Sequence, residues 1–243
     1  MSKADDRSAR TTALQEARAA SQLGRRRTVV AAVVAVVLVV VGVGYWVQST
    51  RDTTGDAPSA TPSGVTDGYS IVVGPADAAT TITVYEDLQC PVCQAFEQAT
   101  GEQVNGGVAS GDVRVEYRLV SFLDGASSNA YSSRALNALL VTLDTTGVEA
   151  FKQLHDALYA DQPAEGSAGP DDEALIQAAV TAGADEAAVS GPIRDKAYEQ
   201  WITNATDAMS TNGVTGTPTV FVDGERVQGT TQDAIDAVLA AVG

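Results

Sequence analysis

The two cysteines of this 243-residue chain lie three positions apart, as Cys90 and Cys93 in the sequence Cys-Pro-Val-Cys. A disulfide that stabilises a fold usually closes a long loop, because the entropy it removes from the unfolded chain grows with loop length. A bond between these two cysteines closes a very short loop. We therefore interpret the pair as a redox-active dithiol, the alternatives being a local structural disulfide or two buried thiols without chemistry.

Two other uses of a Cys-x-x-Cys pair fit this sequence poorly. Structural zinc takes four ligands, and the chain has no second cysteine pair and a single histidine, His155. Covalent haem attachment requires a histidine directly after the second cysteine, and Gln94 occupies that position. We predict no metal and no cofactor, and we interpret His155 as a helix-surface or packing residue.

The segments around the cysteines alternate between strand and helix patterns. Residues 69–73 and 81–86 are rich in β-branched and aromatic side chains, which predicts two strands. Apolar positions at helical spacing then continue to residues 105–107, Asn-Gly-Gly, which predicts a helix of about three turns that begins at Cys90. Residues 113–122 alternate apolar and polar side chains and predict a strand parallel to the one before the helix.

A helix N-terminus would activate Cys90. Backbone N–H groups and the helix dipole stabilise an anion there, so the pKa of a thiol at this position falls. Pro91 suits the first helical turn because its missing N–H leaves no donor unpaired. Cys93, most of a turn further on, is placed to close an intramolecular disulfide. We predict Cys90 as the nucleophile and Cys93 as the resolving cysteine.

The rest of the chain predicts an α/β domain interrupted by helices. Residues 127–210 are alanine-rich and broken by glycine and proline, which predicts an all-helical insertion. Its candidate helices are 130–143, 148–160, 171–181 and 191–209. Strands at 219–222 and 225–227 flank Asp-Gly, a strong signal for a tight hairpin turn, and a last helix is predicted at 232–242.

The N-terminal segment predicts a membrane anchor. Residues 28–47 carry no charge and are long enough to span a bilayer core. Residues 1–27 hold seven basic and three acidic side chains, which predicts a cytoplasmic tail. A cleavable signal peptide is the alternative, but Tyr45 and Trp46 at the far end favour an uncleaved anchor. We therefore expect a single-pass protein of the cell membrane with its catalytic domain outside the cytoplasm.

Charge and composition limit the functions that the part predicted to be exported can have. The whole chain carries a net charge of −16 although its first segment is basic, so the remainder is strongly acidic and unsuited to a nucleic-acid partner. Residues 48–68 consist mostly of Ser, Thr, Pro, Gly and Asp and predict a flexible linker. Residues 69–243 remain as one domain of ordinary size.

Three motifs together resemble the DsbA-like branch of the thioredoxin superfamily, in particular its membrane-anchored bacterial members. They are Tyr-Glu-Asp-Leu-Gln-Cys-Pro-Val-Cys at 85–93, Leu-His-Asp-Ala-Leu-Tyr at 154–159 and Gly-Val-Thr-Gly-Thr-Pro at 213–218. The resemblance implies a thioredoxin-like fold with a helical insertion. It also implies that Pro218 is cis and packs beside the cysteines, and that the backbone of Thr217 pairs with an extended substrate chain.

The sequence departs from the pattern of this branch at two positions. Members often carry a buried acidic residue six positions before the nucleophile, where this chain has Val84. Proton transfer to or from Cys93 would then use another group, Asp87 or a water molecule. The best-known oxidants carry histidine where this chain has Val92, and that histidine stabilises the thiolate. Its replacement predicts a weaker oxidant.

The resemblance implies a thiol-disulfide oxidoreductase that acts on folding exported proteins through a mixed disulfide at Cys90. We expect a disulfide oxidase that a quinone-linked membrane partner reoxidises. The same residues could instead reduce or isomerise disulfides, so the direction of electron flow stays open at this point. A hypothesis of another class is a membrane-tethered binding module that uses the same scaffold without catalysis.

Overall fold

The computed structural model describes residues 55–66 and 68–243. The predicted tail at 1–27, the predicted membrane span at 28–47 and the first part of the predicted linker lie outside the described residues. Within the part of the chain that is described, no helix has both the length and the apolar character needed to cross a bilayer.

A six-stranded sheet forms the centre of the described domain. Its strands are β1 (Val65–Thr66), β2 (Ser70–Val73), β3 (Thr80–Glu86), β4 (Val113–Leu119), β5 (Thr219–Val222) and β6 (Glu225–Arg226). They lie in the order β1-β2-β4-β3-β5-β6, with β3 and β4 parallel and the other neighbours antiparallel. Every second residue of β4 is buried, as its alternating sequence predicts.

Seven helices accompany the sheet in the described residues. They are α1 (Pro91–Ser110), α2 (Tyr131–Thr146), α3 (Val148–Ala160), α4 (Asp172–Thr181), α5 (Glu186–Arg194), α6 (Glu199–Thr211) and α7 (Thr231–Val242). Helix α1 connects β3 to β4 and packs against α7, and both contact the sheet. Helices α2 to α6 form the block between β4 and β5, where the sequence predicts the helical insertion.

Helix α1 is longer than the sequence predicts. The pattern places its end at Asn-Gly-Gly, yet the helix continues through Ser110 and ends at Gly111, whose φ of 88° is left-handed. Gly107 does not end the helix but allows it to pack closely against a neighbouring element. A Cβ added there would lie 2.4 Å from a methyl group of Val113, so the missing side chain lets α1 approach the start of β4.

The helix predicted at 191–209 is two helices, α5 and α6. The backbone between them leaves the helical conformation at Lys196, whose φ of 50° is left-handed. The buried side chain of Asn137 holds this break: it donates to the carbonyl of Ile193 (3.2 Å) and accepts from the N–H of Tyr198 (3.0 Å). The break therefore depends on a residue of α2, which the local sequence does not reveal.

Residues 55–66, which the composition assigns to the linker, contact the domain in the structure. The N–H of Gly55 donates to the side chain of Asn204 (3.1 Å), and the N–H of Ser63 donates to Asp144 (2.8 Å). Strand β1 also pairs with β2. Parts of this segment thus pack on the domain, because their backbone groups, which composition does not describe, pair with side chains of the helical block and with β2.

Candidate active site

The end of β3 leads directly into the cysteine pair. Cys90 is the N-cap of α1, with extended backbone, and Pro91 occupies the first helical turn. The carbonyl of Cys90 accepts the N–H of Gln94 (3.1 Å), which begins the hydrogen-bond ladder of the helix. Both cysteines are free thiols, with Cys90 6% exposed and Cys93 fully buried. The structure thus places Cys90 at the helix N-terminus, where the sequence predicts it.

The surroundings of Cys90 favour its thiolate. A hydrogen bond from the Cys93 thiol lowers the pKa of Cys90 to about 6, in opposition to burial, which raises it. The side chain of Thr217 and the backbone N–H groups of Cys93 and Val92 stabilise the anion further. These donors lie where the first turn of a helix concentrates unpaired N–H groups.

Cys93 behaves in the opposite way. Burial raises the pKa of its thiol well above the ordinary value, and the hydrogen bond to Cys90 and the negative charge of Glu86 raise it further. One sulfur of the pair is therefore an anion at neutral pH while the other keeps its proton. This asymmetry favours Cys90 over Cys93 as the nucleophile.

Strand pairing places the Thr217–Pro218 segment beside Cys90. Strand β5 lies antiparallel to β3, with Thr219 opposite Tyr85, so the residues just before β5 meet the loop just after β3. The carbonyl oxygen of Thr217 lies 3.5 Å from Sγ of Cys90. The Thr217–Pro218 peptide bond is cis, as the resemblance implies.

Val92 contributes its backbone but no charge to this site. Its side chain is 41% exposed, and its N–H is among the groups that lower the pKa of Cys90. Pro91 beside it is also exposed. The outer surface of the Cys-Pro-Val-Cys turn is therefore apolar.

Asp87 is a positioning residue. Its carboxylate is fully buried and accepts three hydrogen bonds, from the hydroxyl of Ser132 (2.5 Å) and from the backbone N–H groups of Gln89 and Leu123 (2.8 Å each). These bonds occupy both oxygens, although burial raises the pKa of the group. Asp87 thus ties the turn before Cys90 to α2 and to the segment after β4, and its part in proton transfer stays a prediction.

Two glutamines join the turn at the cysteines to the helical block. The Gln162 amide donates to the carbonyls of Leu88 (3.1 Å) and Cys90 (3.0 Å), and the Gln89 amide donates in the other direction, to the carbonyl of Ala164 (3.2 Å). The sequence does not predict that either glutamine contacts the site. Their partners are backbone carbonyls more than 70 positions away, and no local pattern marks such contacts.

A buried polar cluster also escapes the sequence analysis. Oε2 of Glu86, at the end of β3, lies 3.2 Å from Nε2 of His155 on α3, and both side chains are fully buried. Although burial alone lowers it, hydrogen bonds to Asp156 and Glu86 raise the pKa of His155 to about 9. Desolvation and the charge of Glu86 raise the pKa of Glu97 on α1 to about 8. Of the two roles that the sequence allows for His155, the structure shows the packing role: the side chain is buried and hydrogen-bonded and does not lie on the helix surface.

The sequence holds one signal that could have revealed this cluster. Ile82, Val84 and Glu86 alternate along β3 and are all buried, so an acidic side chain lies on the apolar face of a strand. A charged group in such a position needs a partner. Which residue supplies it depends on the packing of α3 against the sheet.

The fold and the site together define a class of protein. A sheet with β3 and β4 parallel, an activated Cys-x-x-Cys at a helix N-terminus and a cis-proline segment beside it are the arrangement of a thiol-disulfide oxidoreductase. The chain matches the family model described as Thioredoxin over residues 66–241. It therefore belongs to the thioredoxin family.

Comparison with solved structures shows which branch of the family the chain resembles. It resembles the reduced disulfide bond oxidoreductase DsbG of Mycobacterium tuberculosis with a TM-score of 0.62 and 31% identity, over 74% of this chain and 90% of that one. It resembles oxidised DsbA of the same organism with a TM-score of 0.60 and 31% identity, over 72% and 93%. The chain is thus a DsbA-like member of the family, and the predicted thioredoxin-like fold with a helical insertion is confirmed.

One curated relative is a much longer protein that matches this chain over part of its length. The serine/threonine-protein kinase PknE of Mycobacterium tuberculosis is 31% identical over 169 residues, which cover 65% of this chain and 29% of the kinase. The chain therefore spans less than a third of the length of this relative.

Proposed function

We propose that this chain oxidises thiols of exported proteins with a disulfide between Cys90 and Cys93. The observation that carries the proposal is the depressed pKa of Cys90, about 6, beside a Cys93 thiol whose pKa is raised. A stabilised thiolate is a good leaving group, and it stabilises the reduced form of the pair. A disulfide that is readily reduced is readily donated to a client protein.

The reaction proceeds by two thiol-disulfide exchanges. A client thiolate attacks Sγ of Cys90, the Cys90–Cys93 bond breaks, and Cys93 leaves with the electron pair and takes up a proton. The second client thiolate then attacks the client sulfur of the mixed disulfide and releases Cys90 as a thiolate. The client has lost two electrons and the enzyme has gained them. A quinone-linked membrane partner would remove both electrons and close the Cys90–Cys93 disulfide again.

The segment before β5 supports a broad substrate range. The backbone of Thr217 lies beside Sγ of Cys90, where an extended client chain could pair with it as an added strand. Recognition through main-chain hydrogen bonds depends little on the side chains of the client protein. The apolar surface at Pro91 and Val92 would accept unfolded polypeptide.

We also propose that residues 28–47 anchor the protein in the cell membrane, with residues 1–27 in the cytoplasm and the catalytic domain outside. The apolar, charge-free sequence and the basic segment before it support this arrangement. It would keep the cysteines in an oxidising compartment, where clients acquire disulfides.

The redox potential of the purified protein tests the direction of electron flow. At pH 7, lowering the pKa of Cys90 from 9.0 to about 6 stabilises the reduced form by about 1.4 kcal/mol, which corresponds to about 30 mV. We expect equilibration with glutathione to give a potential above about −200 mV. A value near the −270 mV that is typical of thioredoxin would contradict the oxidase proposal.

The exposed Val92 favours a second candidate, a reductase or isomerase. Its side chain offers the Cys90 thiolate neither a charge nor a hydrogen bond, which limits the oxidising power that the helix N-terminus creates. A double variant, Cys90→Ser with Cys93→Ser, distinguishes both enzymes from a tethered binding module. It should abolish disulfide exchange in an exported-protein assay, whereas a binding module would keep its function.

A further inference from the structure

We propose that Glu86, Glu97 and His155 form a binding site for one divalent cation of the zinc type. The site lies where the end of β3, helix α1 and helix α3 meet. It contains neither active-site cysteine, and the inference does not depend on the direction of electron flow.

The three side chains converge closely enough for small movements to bring them onto one metal ion. One ligand atom from each lies within 4.8 Å of the others, and Oε2 of Glu86 lies 3.2 Å from Nε2 of His155. Two ligands bound to zinc at about 2.0 to 2.2 Å in tetrahedral geometry lie roughly 3.4 Å apart. The 3.2 Å hydrogen bond between Glu86 and His155 is therefore close to the separation of two zinc ligands, and an ion would take the place of the proton between them.

An unpaired buried oxygen supplies an independent reason for a ligand here. The Glu97 carboxyl interacts with the Glu86 side chain, but Oε1 of Glu86 makes no hydrogen bond of normal geometry with the described residues, and the side chain is fully buried. Leaving a carboxylate oxygen without water and without a partner is costly. A cation between Glu86, Glu97 and His155 would supply the missing interaction.

The far side of His155 has the arrangement found around metal-bound histidines. Nδ1 of His155 lies 3.3 Å from Oδ1 of Asp156, so the ring can donate its Nδ1–H to a carboxylate while Nε2 faces Glu86. Metal-ligating histidines almost always donate their second ring nitrogen in this way. The rings of Tyr117 and Tyr159, with centroids 4.7 and 4.9 Å from that of His155, fix its orientation.

The ligand set and an access route indicate the ion. An ion that binds here displaces the protons of Glu97 and His155, and the two carboxylates then balance the charge of a dication. The imidazole nitrogen favours zinc over calcium or magnesium, which prefer oxygen alone. Three protein ligands leave a fourth position for water. A cavity of about 150 Å³ next to the cluster is lined by Glu97, Asp156 and Tyr159, and Glu97 is only partly buried, so the ion has a path from solvent.

Zinc binding by the full chain tests this site. The Cys90–Cys93 disulfide is closed beforehand so that no thiolate can bind the metal, and zinc chloride and calcium chloride are titrated separately by calorimetry. We expect one zinc ion per chain, bound more tightly than calcium. Glu97→Gln should weaken zinc binding at least tenfold. The matched control Glu102→Gln, an exposed position on the same helix, should leave the affinity unchanged.

A second variant keeps the test decisive if Glu97→Gln folds poorly. Asp156→Asn removes the carboxylate that faces Nδ1 of His155 and also pairs with Lys152, and it should weaken zinc binding about tenfold. Zinc should also raise the Tm of the wild-type oxidised chain and raise that of Asp156→Asn less. Absence of zinc binding at micromolar concentrations, equal affinity in wild type and both variants, or tighter binding of calcium than of zinc would each overturn the proposal.

Discussion

The hydrogen bond from Cys93 is the largest cause of the depressed pKa of Cys90, and two substitutions isolate it. Cys93→Ser keeps a hydroxyl donor at the same place, whereas Cys93→Ala removes the donor and leaves the rest of the helix N-terminus intact. Both variants lack the second thiol, so a comparison of the two reports the hydrogen bond alone.

The expected size of the effect follows from the energy of a hydrogen bond to an anion. Such bonds contribute about 1.5 to 3 kcal/mol, which corresponds to roughly one to two pKa units. We therefore expect the pKa of Cys90 to stay near 6 in Cys93→Ser and to rise to between about 7 and 8 in Cys93→Ala. At pH 7 the thiolate fraction would fall from about 90% to between about 50% and 10%.

The ultraviolet absorbance of the thiolate, recorded from pH 4 to pH 10, measures the midpoint directly, and the pH dependence of alkylation of Cys90 provides a check. The direction of the shift in the pKa of Cys90 determines how the stability of the reduced protein changes with pH. Because the pKa of Cys90 is lowered, stabilisation of the reduced protein is absent below pH 6, grows above it and is complete above pH 9. Equal midpoints in Cys93→Ser and Cys93→Ala would refute this account of the thiolate.

Two further predictions concern the turn at the cysteines and the helix after it. Val92→His should lower the pKa of Cys90 below about 6 by adding a charge or donor near the thiolate, and an unchanged alkylation profile would contradict the role given to this position. Gly107→Ala should destabilise the fold by about 1 to 3 kcal/mol in denaturant unfolding, because its methyl group would collide with Val113. Gly106→Ala, where a Cβ meets no atom within 4 Å, should be neutral or stabilise the helix by up to about 1 kcal/mol, and equal effects of the two alanines would exclude the collision.

The parts of the site that the sequence predicts are those with local causes. A strand followed by Cys-Pro-Val-Cys predicts a thiol at a helix N-terminus, because the start of a helix is a property of neighbouring residues. The placement of Thr217 beside Cys90 required the resemblance, since 127 positions separate the two residues. Once β5 pairs with β3, that contact follows from the register.

The parts that the sequence does not predict depend on contacts between distant elements. Glu86 and His155 are 69 positions apart and meet only after α3 packs on the sheet. The break between α5 and α6 is held by Asn137, and the role of Gly107 is defined by Val113. The local sequence suggests an ordinary role for each of these residues. Contacts with distant elements in the folded protein give each of them a different role.

The split of the site between the two ends of the domain has a consequence for biogenesis. The cysteines are synthesised early, but Thr217 lies 127 positions after Cys90, shortly before strand β5. Until that segment has been synthesised and β5 has paired with β3, Cys90 lacks both the neighbouring backbone and the Thr217 side chain that stabilises its thiolate. A nascent chain therefore carries two thiols before the surroundings that lower the pKa of Cys90 are complete.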